Sequence, residues 1–146
     1  MTTIKSKMGT ASAIVAGALL AALPTTASAQ TKVERTGAAT SPIASLAFVP
    51  AGANIMFVSG TTPSPVDPAK PDDLGDTKAQ TLSILTKMKA SLEAKGFGMG
   101  DIVKMTVFLV GTPATGGKMD SAAMNEVFRT FFGTPDQPNK PTRSTI

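Results

Sequence analysis

The side chains of this chain that could do chemistry are carboxylates, lysines, hydroxyls, amides and three arginines, because cysteine, histidine, tryptophan and tyrosine are all absent. Their absence rules out disulfides, thiolate and imidazole metal ligands, Ser-His and Cys-His catalytic pairs, and a tyrosyl acid. Any function of this chain must therefore come from its charged, hydroxyl and amide groups and its backbone.

Arg143 is the sharpest candidate among these groups. It follows Pro141 at the start of a predicted strand, where a guanidinium can hold a planar carboxylate with two parallel hydrogen bonds. A structural or surface arginine is the simpler alternative. Asn125 is the second candidate, because asparagine is a mediocre helix former and this one lies in a predicted helix beside its apolar stripe. Its simpler interpretation is a surface residue.

Two further patterns have simple structural explanations. Clustered carboxylates can hold a hard cation, and one loop before a predicted helix carries Asp67, Asp72, Asp73 and Asp76. The spacing is not that of an EF-hand, and acids there favour the positive end of the helix dipole, so no metal site is predicted. Gly96, Gly98 and Gly100 follow a helix and precede a strand, which is the reverse of a phosphate loop and indicates a turn.

The first 29 residues have the pattern of a secretory signal peptide. Lys5 and Lys7 precede an apolar run over residues 14–23, and Ala27-Ser28-Ala29 is a small-residue cleavage site. An uncleaved anchor is the alternative, but the run is shorter than the ~20 residues that span a bilayer. We expect a mature domain over residues 30–146, periplasmic or secreted, with no membrane association after cleavage. Without Lys5 and Lys7 the net charge of +4 is nearly balanced, which argues against a nucleic-acid partner.

The rest of the chain predicts alternating strands and helices. Residues 30–42 have a loop-like composition, residues 46–49 and 55–59 a β-hairpin pattern, and residues 61–75 an exposed proline-rich loop. A helix is predicted from Asp76 or Thr77 to about Lys95, and a second over residues 120–132. Between them, residues 102–110 predict a buried strand in the middle of a sheet covered by helices. Residues 143–146 predict the beginning of one more strand.

Five motifs, in this order and spacing, carry a resemblance to one family. They are Ser59-Gly60 after an apolar strand, a helix opening at 76–81 with Gly96 at its end, Asp101-Ile102-Val103-Lys104-x-Thr106-Val107-Phe108, Met124-Asn125-x-Val127-Phe128-x-x-Phe131-Phe132 and Pro141-x-Arg143-Ser144. Over residues 42–146 the chain resembles the Rid (YjgF-like) family of enamine and imine deaminases. The resemblance implies an α+β fold with a chorismate-mutase-like sheet, two helices packed on one face, and a homotrimer with ligand sites between subunits.

The resemblance also implies an activity and a set of site residues. The family hydrolyses reactive enamines and imines such as 2-aminoacrylate to 2-oxo acids and ammonia, without metal or organic cofactor. Arg143 would clamp the substrate carboxylate, Ser59, Gly60 and Thr145 would contribute to the substrate cleft, and Asn125 would help to hold its wall. A non-catalytic module that binds small carboxylates is the alternative, whereas a nuclease role is disfavoured by export away from cytoplasmic RNA.

The chain departs from the family pattern at three places. Ile43 stands where the family often has a tyrosine, and Thr145 stands where a cysteine is common. The family continues through a final strand with an acidic residue implicated in water activation. We therefore expect that a domain of this kind is truncated in its last strand at Ile146.

Overall fold

The computed structural model describes residues 32–146, so the predicted signal peptide lies outside the described residues. Besides two single-turn 3₁₀ helices at Met99–Asp101 and Pro113–Thr115, its regular structure consists of two α-helices and four short strands. In chain order they are β1 (Glu34–Thr36), β2 (Leu46–Phe48), α1 (Thr77–Glu93), β3 (Lys104–Val107), α2 (Ser121–Phe131) and β4 (Thr142–Thr145). Among these residues, no helix is long and apolar enough to cross a bilayer.

Both helices begin at aspartate caps, close to the predicted starts at Asp76 or Thr77 and at about residue 120. The Asp76 carboxylate accepts a hydrogen bond from the Ala79 backbone N–H at 2.8 Å, and Asp120 accepts one from Ala123 N–H at 2.9 Å. Each bond pairs one of the N–H groups that a helix start leaves without a partner. After α1, Gly96 takes a positive φ of 79°, which glycine adopts without steric cost. The prediction of both helices is confirmed.

The core lies between the two helices and one face of the β3–β4 pair. Its buried side chains come from α1, from the turn before β3, and from α2 and the residue after it. They are Leu85, Leu92, Met99, Phe128 and Phe132, and Met105 of β3 packs against them. The rings of Phe128 and Phe132 stack with centroids 4.4 Å apart. This arrangement of helices against one face of a sheet confirms the predicted α+β class.

The four strands form two separate pairs. β1 and β2 are antiparallel, whereas β3 and β4 are parallel, with Met105 opposite Arg143. The predicted last strand is confirmed in β4. Its position is held by Thr142 N–H, which donates to the Val103 carbonyl at 2.9 Å, and by Ala44 N–H, which donates to the Pro141 carbonyl at 3.0 Å.

The predicted hairpin over residues 46–49 and 55–59 is wrong. β2 pairs with β1, which lies in the stretch predicted to be loop, and residues 55–59 are exposed and outside any strand. The spacing of two apolar runs suggested local pairing, but the edge of β2 is taken by Glu34–Thr36, a segment with too little apolar character to be recognised as a strand. Strand pairing depends on which backbone edge is available, and hydrophobicity alone does not reveal that.

The strand predicted over residues 102–110 is also corrected. β3 covers only Lys104–Val107, and its side chains alternate between exposed and half-buried. Phe108 and Val110, beyond its end, are 77% and 81% exposed. The reason is that helices cover only one face of β3, and β4 is its only partner strand within residues 32–146. The prediction of a buried central strand is therefore wrong for the single chain, in which one face of β3 is exposed.

Candidate functional site

The side chain of Arg143 reaches from β4 to α2. Its Nη2 donates a hydrogen bond of 2.7 Å to Oδ1 of Asn125, and its guanidinium carbon lies 4.4 Å from the centre of the Phe128 ring. The first contact is a charge-assisted hydrogen bond, and the second has cation–π geometry. Two contacts with one helix thus fix the plane and the direction of this guanidinium.

The helix presents these two contacts because of their spacing. Asn125 and Phe128 are three residues apart on α2, so they lie on the same face. Asp120 fixes where that helix begins, and the burial of Phe128, at 1% exposed, fixes its rotation. On the other side, the parallel register that places Arg143 opposite Met105 determines how far along the sheet the guanidinium stands.

Arg143 is short of partners. Nε and Nη1 are buried and have no hydrogen-bond partner among the described residues, and none of the ion pairs within residues 32–146 includes an arginine. Desolvation by burial, followed by the nearby positive charge of Arg129, lowers the pKa of Arg143. A partly buried cation without a counter-charge is costly, so an anion would be a favourable partner for this guanidinium.

Arg35 makes a useful contrast, because its guanidinium is also partly buried. Its Nη2 donates to the Gly100 carbonyl at 3.0 Å, and Asp101 opposes the lowering of its pKa that desolvation causes. Within the described part of the chain, Arg35 therefore has two backbone acceptors and a nearby carboxylate, and its Nε alone is buried without a partner, whereas Arg143 has a single amide acceptor and two such nitrogens. Nη2 of Arg143 carries a second hydrogen besides the one that it donates to Asn125, so this nitrogen can donate to a further acceptor.

The other predicted site residues are placed differently. Thr145 is half-buried in β4, two residues after Arg143, and so lies on the same face of the strand. Ser59 and Gly60 lie in an exposed segment, and no hydrogen bond among residues 32–146 joins them to Arg143 or Asn125. Within one chain, the structure brings Arg143 and Asn125 into contact, and Thr145 lies on the same face of β4 as Arg143.

The backbone contacts of residues 37–44 were not predicted from the sequence. Nζ of Lys140 donates to the backbone carbonyls of Ala39 and Ser41, each at 2.8 Å, and Nη1 of Arg129 donates to the carbonyl of Thr40 at 3.1 Å. Two cations therefore hold this segment through its backbone. The spacing of four between Asn125 and Arg129 is the signal that could have linked Arg129 to the site.

The acidic loop and the glycine triplet have the structural roles expected of them. Asp67 and Asp73 accept hydrogen bonds from backbone N–H groups two residues later, and Asp76 caps α1. No group of three or more possible metal ligands occurs within residues 32–146. Gly98 N–H donates to the Asp101 carboxylate at 2.7 Å in the turn that leads to β3, as predicted for a helix-to-strand connection.

Comparison with known proteins shows which family the sequence matches. The sequence model of the family described as endoribonuclease L-PSP matches residues 37–146. A RutC family protein of Pyrococcus horikoshii is 36% identical over 94 residues, covering 64% of this chain and 65% of the relative. A 2-iminobutanoate/2-iminopropanoate deaminase of Escherichia coli is 34% identical over 93 residues, covering 64% and 66%. The chain thus spans about 65% of the length of such relatives.

A solved structure shows a more distant similarity. The crystal structure of a Pseudomonas aeruginosa protein aligns with a TM-score of 0.41 at 22% identity, covering 79% of this chain and 83% of that one.

Proposed function

Because the chain belongs to the endoribonuclease L-PSP family, also called the Rid or YjgF family, we propose that it hydrolyses reactive enamines and imines of the 2-aminoacrylate type to 2-oxo acids and ammonia. The observation that carries the proposal is the guanidinium of Arg143, which is fixed by Asn125 and Phe128 and has buried Nε and Nη1 atoms without partners. The similarity to a relative named as a deaminase of two 2-imino acids supports it.

Arg143 binds the carboxylate that such substrates share. Two parallel hydrogen bonds from a rigid guanidinium fix the plane of the carboxylate, and with it the position of the neighbouring C=N carbon. An enamine first gains a proton on its β-carbon and loses one from its nitrogen, which gives the imine. Water adds to the C=N carbon, protons move from the added water to the nitrogen, and the C–N bond breaks to release ammonia and leave a carbonyl. Because the C=N group is already activated, holding it in a fixed position beside water supplies much of the required catalysis.

Asn125 and Thr145 complete the part of the site that one chain supplies. Asn125 keeps the guanidinium aimed at the substrate, and Thr145 adds a hydroxyl on the same face of β4. Ser59 and Gly60 line the cleft from another subunit of a homotrimer, which agrees with their exposure in the single chain. Several apolar side chains that are exposed in one chain support an assembly: Leu46, Ile55, Phe57, Phe108 and Val110.

The activity is tested by adding the purified chain to 2-aminoacrylate that a second enzyme generates, and by following pyruvate release. We expect pyruvate release to accelerate in proportion to protein concentration. The absence of any acceleration would contradict the proposal. Light scattering of the same sample tests the homotrimer, for which a mass three times that of the chain is expected. A monomeric mass would contradict the proposal that Ser59 and Gly60 line a cleft between subunits.

A second candidate is a non-catalytic module that binds small carboxylates at the same site. Catalysis needs a base that activates water. Among residues 32–146, no carboxylate is hydrogen-bonded to or ion-paired with Arg143 or Asn125, which favours a module that only binds. Calorimetry with 2-oxobutanoate distinguishes the two, since binding without any acceleration of imine hydrolysis would favour the module.

We also propose that the protein is exported. The basic start, the apolar run over residues 14–23 and the small residues before Gln30 support cleavage after Ala29. Expression of the full chain in a bacterium, followed by N-terminal sequencing of the periplasmic fraction, should give Gln30 as the first residue. Recovery of the chain only from the cytoplasm with Met1 or Thr2 at its start would contradict export.

A further inference from the structure

Arg129 lies beside the Arg143 site although none of the family motifs includes it. It follows Asn125 by four residues on α2, so both side chains lie on one face of the helix. Asn125 is the residue to which Arg143 is hydrogen-bonded at 2.7 Å, and Phe128, which stacks under the Arg143 guanidinium, directly precedes Arg129. Arg129 therefore stands on the face of α2 that carries Asn125, the hydrogen-bond acceptor of Arg143.

Neither guanidinium has an acidic partner within residues 32–146. Glu126 is the acid closest to Arg129 along α2, and its carboxylate is paired with Lys78 at 2.6 Å. The other ion pairs of the described residues, Lys70–Asp67 and Lys89–Glu93, involve different elements. Desolvation by burial and, after it, the positive charge of Arg129 lower the pKa of Arg143, as expected for a nearby like charge. Negative charge placed between the two guanidiniums would relieve the repulsion between them.

The guanidinium of Arg129 is also held in place before any ligand arrives. Nη1 donates to the Thr40 carbonyl at 3.1 Å, and Lys140 fixes the carbonyls on either side of Thr40. One of the five N–H groups of Arg129 is engaged in this way, and the side chain remains exposed. A charged group that is held in advance loses less conformational entropy when it binds a ligand.

We propose that the site prefers 2-imino and 2-oxo acids that carry a second carboxylate, with Arg143 binding the carboxylate next to the C=N or C=O carbon and Arg129 binding the distal one. This inference rests on the proposed function of the Arg143 site. The reaction is unchanged, because water and the imine of a 2-oxo dicarboxylic acid give that 2-oxo acid and ammonia. A substrate with one carboxylate leaves the charge of Arg129 without a partner, whereas a dicarboxylate satisfies both guanidiniums.

Calorimetry on the full chain at low ionic strength tests the preference. The probes are 2-oxobutanoate, oxaloacetate and 2-oxoglutarate, which differ in the second carboxylate and in its distance from the first. At least one dicarboxylate should bind about five- to tenfold more tightly than 2-oxobutanoate, as expected for one additional exposed charge-assisted contact. The preference should shrink as salt is added, because Arg129 is exposed.

Two variants separate this inference from the proposed function. Arg129→Gln should abolish the preference for dicarboxylates and leave the affinity for 2-oxobutanoate within about twofold. Lys70→Gln, which removes the same charge from a remote loop, should retain the preference. Binding of 2-oxobutanoate without any preference, or a preference that survives Arg129→Gln, would overturn the role of Arg129 alone. If none of the three acids binds, the proposed function of Arg143 fails with it.

Discussion

Arg143 and Asn125 are joined by a hydrogen bond of 2.7 Å between Nη2 and Oδ1 across 18 residues of sequence. The bond joins a guanidinium of β4 to a side-chain amide of α2. It determines which edges of the guanidinium remain open, because Asn125 occupies one hydrogen of Nη2 and the Phe128 ring covers one face. The orientation of the site therefore depends on how α2 packs against β4.

The Asn125→Asp substitution tests whether Arg143 acts as an anion receptor. The new carboxylate would pair with Nη2 and neutralise the guanidinium, so the affinity for 2-oxobutanoate should fall at least tenfold, which is about 1.4 kcal/mol. The folded state should be as stable as that of the unaltered chain. Asn125→Ala is the companion variant, and its free energy of unfolding should decrease by about 1–2 kcal/mol because Nη2 loses its acceptor. Undiminished binding by the Asp variant, measured by calorimetry, would argue that Arg143 does not receive the ligand.

The Phe128→Ala substitution removes the ring that supports both the core and the guanidinium. Phe128 is 1% exposed and stacks on Phe132, so the free energy of unfolding should decrease by about 3–5 kcal/mol. Leu82→Ala on α1 is a suitable control, because Leu82 is 52% exposed and should lose about 1 kcal/mol or less. Urea unfolding measures both. Equal losses in the two variants would mean that the core is not centred on α2.

The Lys140→Met substitution tests whether a lysine holds the segment of residues 37–44 in place. Methionine retains much of the apolar stem but loses the hydrogen bonds to the Ala39 and Ser41 carbonyls. Amide hydrogen exchange in this segment should become about tenfold faster, while exchange in α1 should not change. Lys95→Met provides the control, since Lys95 is exposed just after α1 and should leave both segments unchanged. If exchange in residues 37–44 is unchanged in Lys140→Met, contacts other than those of Lys140 hold this segment in place.

Local sequence signals predicted the helices well and the strand pairs poorly. Asp76, Asp120 and Gly96 mark helix boundaries through groups a few residues away, so the sequence contains the necessary information. The partner of β2 depends instead on an edge supplied by Glu34–Thr36, which has no hydrophobic pattern. Arg143 and Asn125 were selected as residue types, and family membership confirms the resemblance that linked them. Their contact depends on the register of β4 and the rotation of α2, which no local pattern specifies.

Arg129 and Lys140 were missed for a related reason. Each is a surface cation in the sequence, and surface cations are usually solvated. Their importance arises from backbone carbonyls of residues 38–41, about 90 to 100 positions away. Backbone acceptors carry no residue-specific signal, so a contact of this kind can be recognised only once the fold is known.

The rate of pyruvate release from 2-aminoacrylate by Arg143 variants tests the central claim most directly. If the planar guanidinium binds the substrate carboxylate, Arg143→Ala should lower kcat/KM by about 100-fold or more, the effect of losing a charge-assisted two-pronged contact. Arg143→Lys should recover little of the loss, because an ammonium cannot reproduce the planar fork. Wild-type activity in Arg143→Ala, with the fold intact by circular dichroism, would contradict the account.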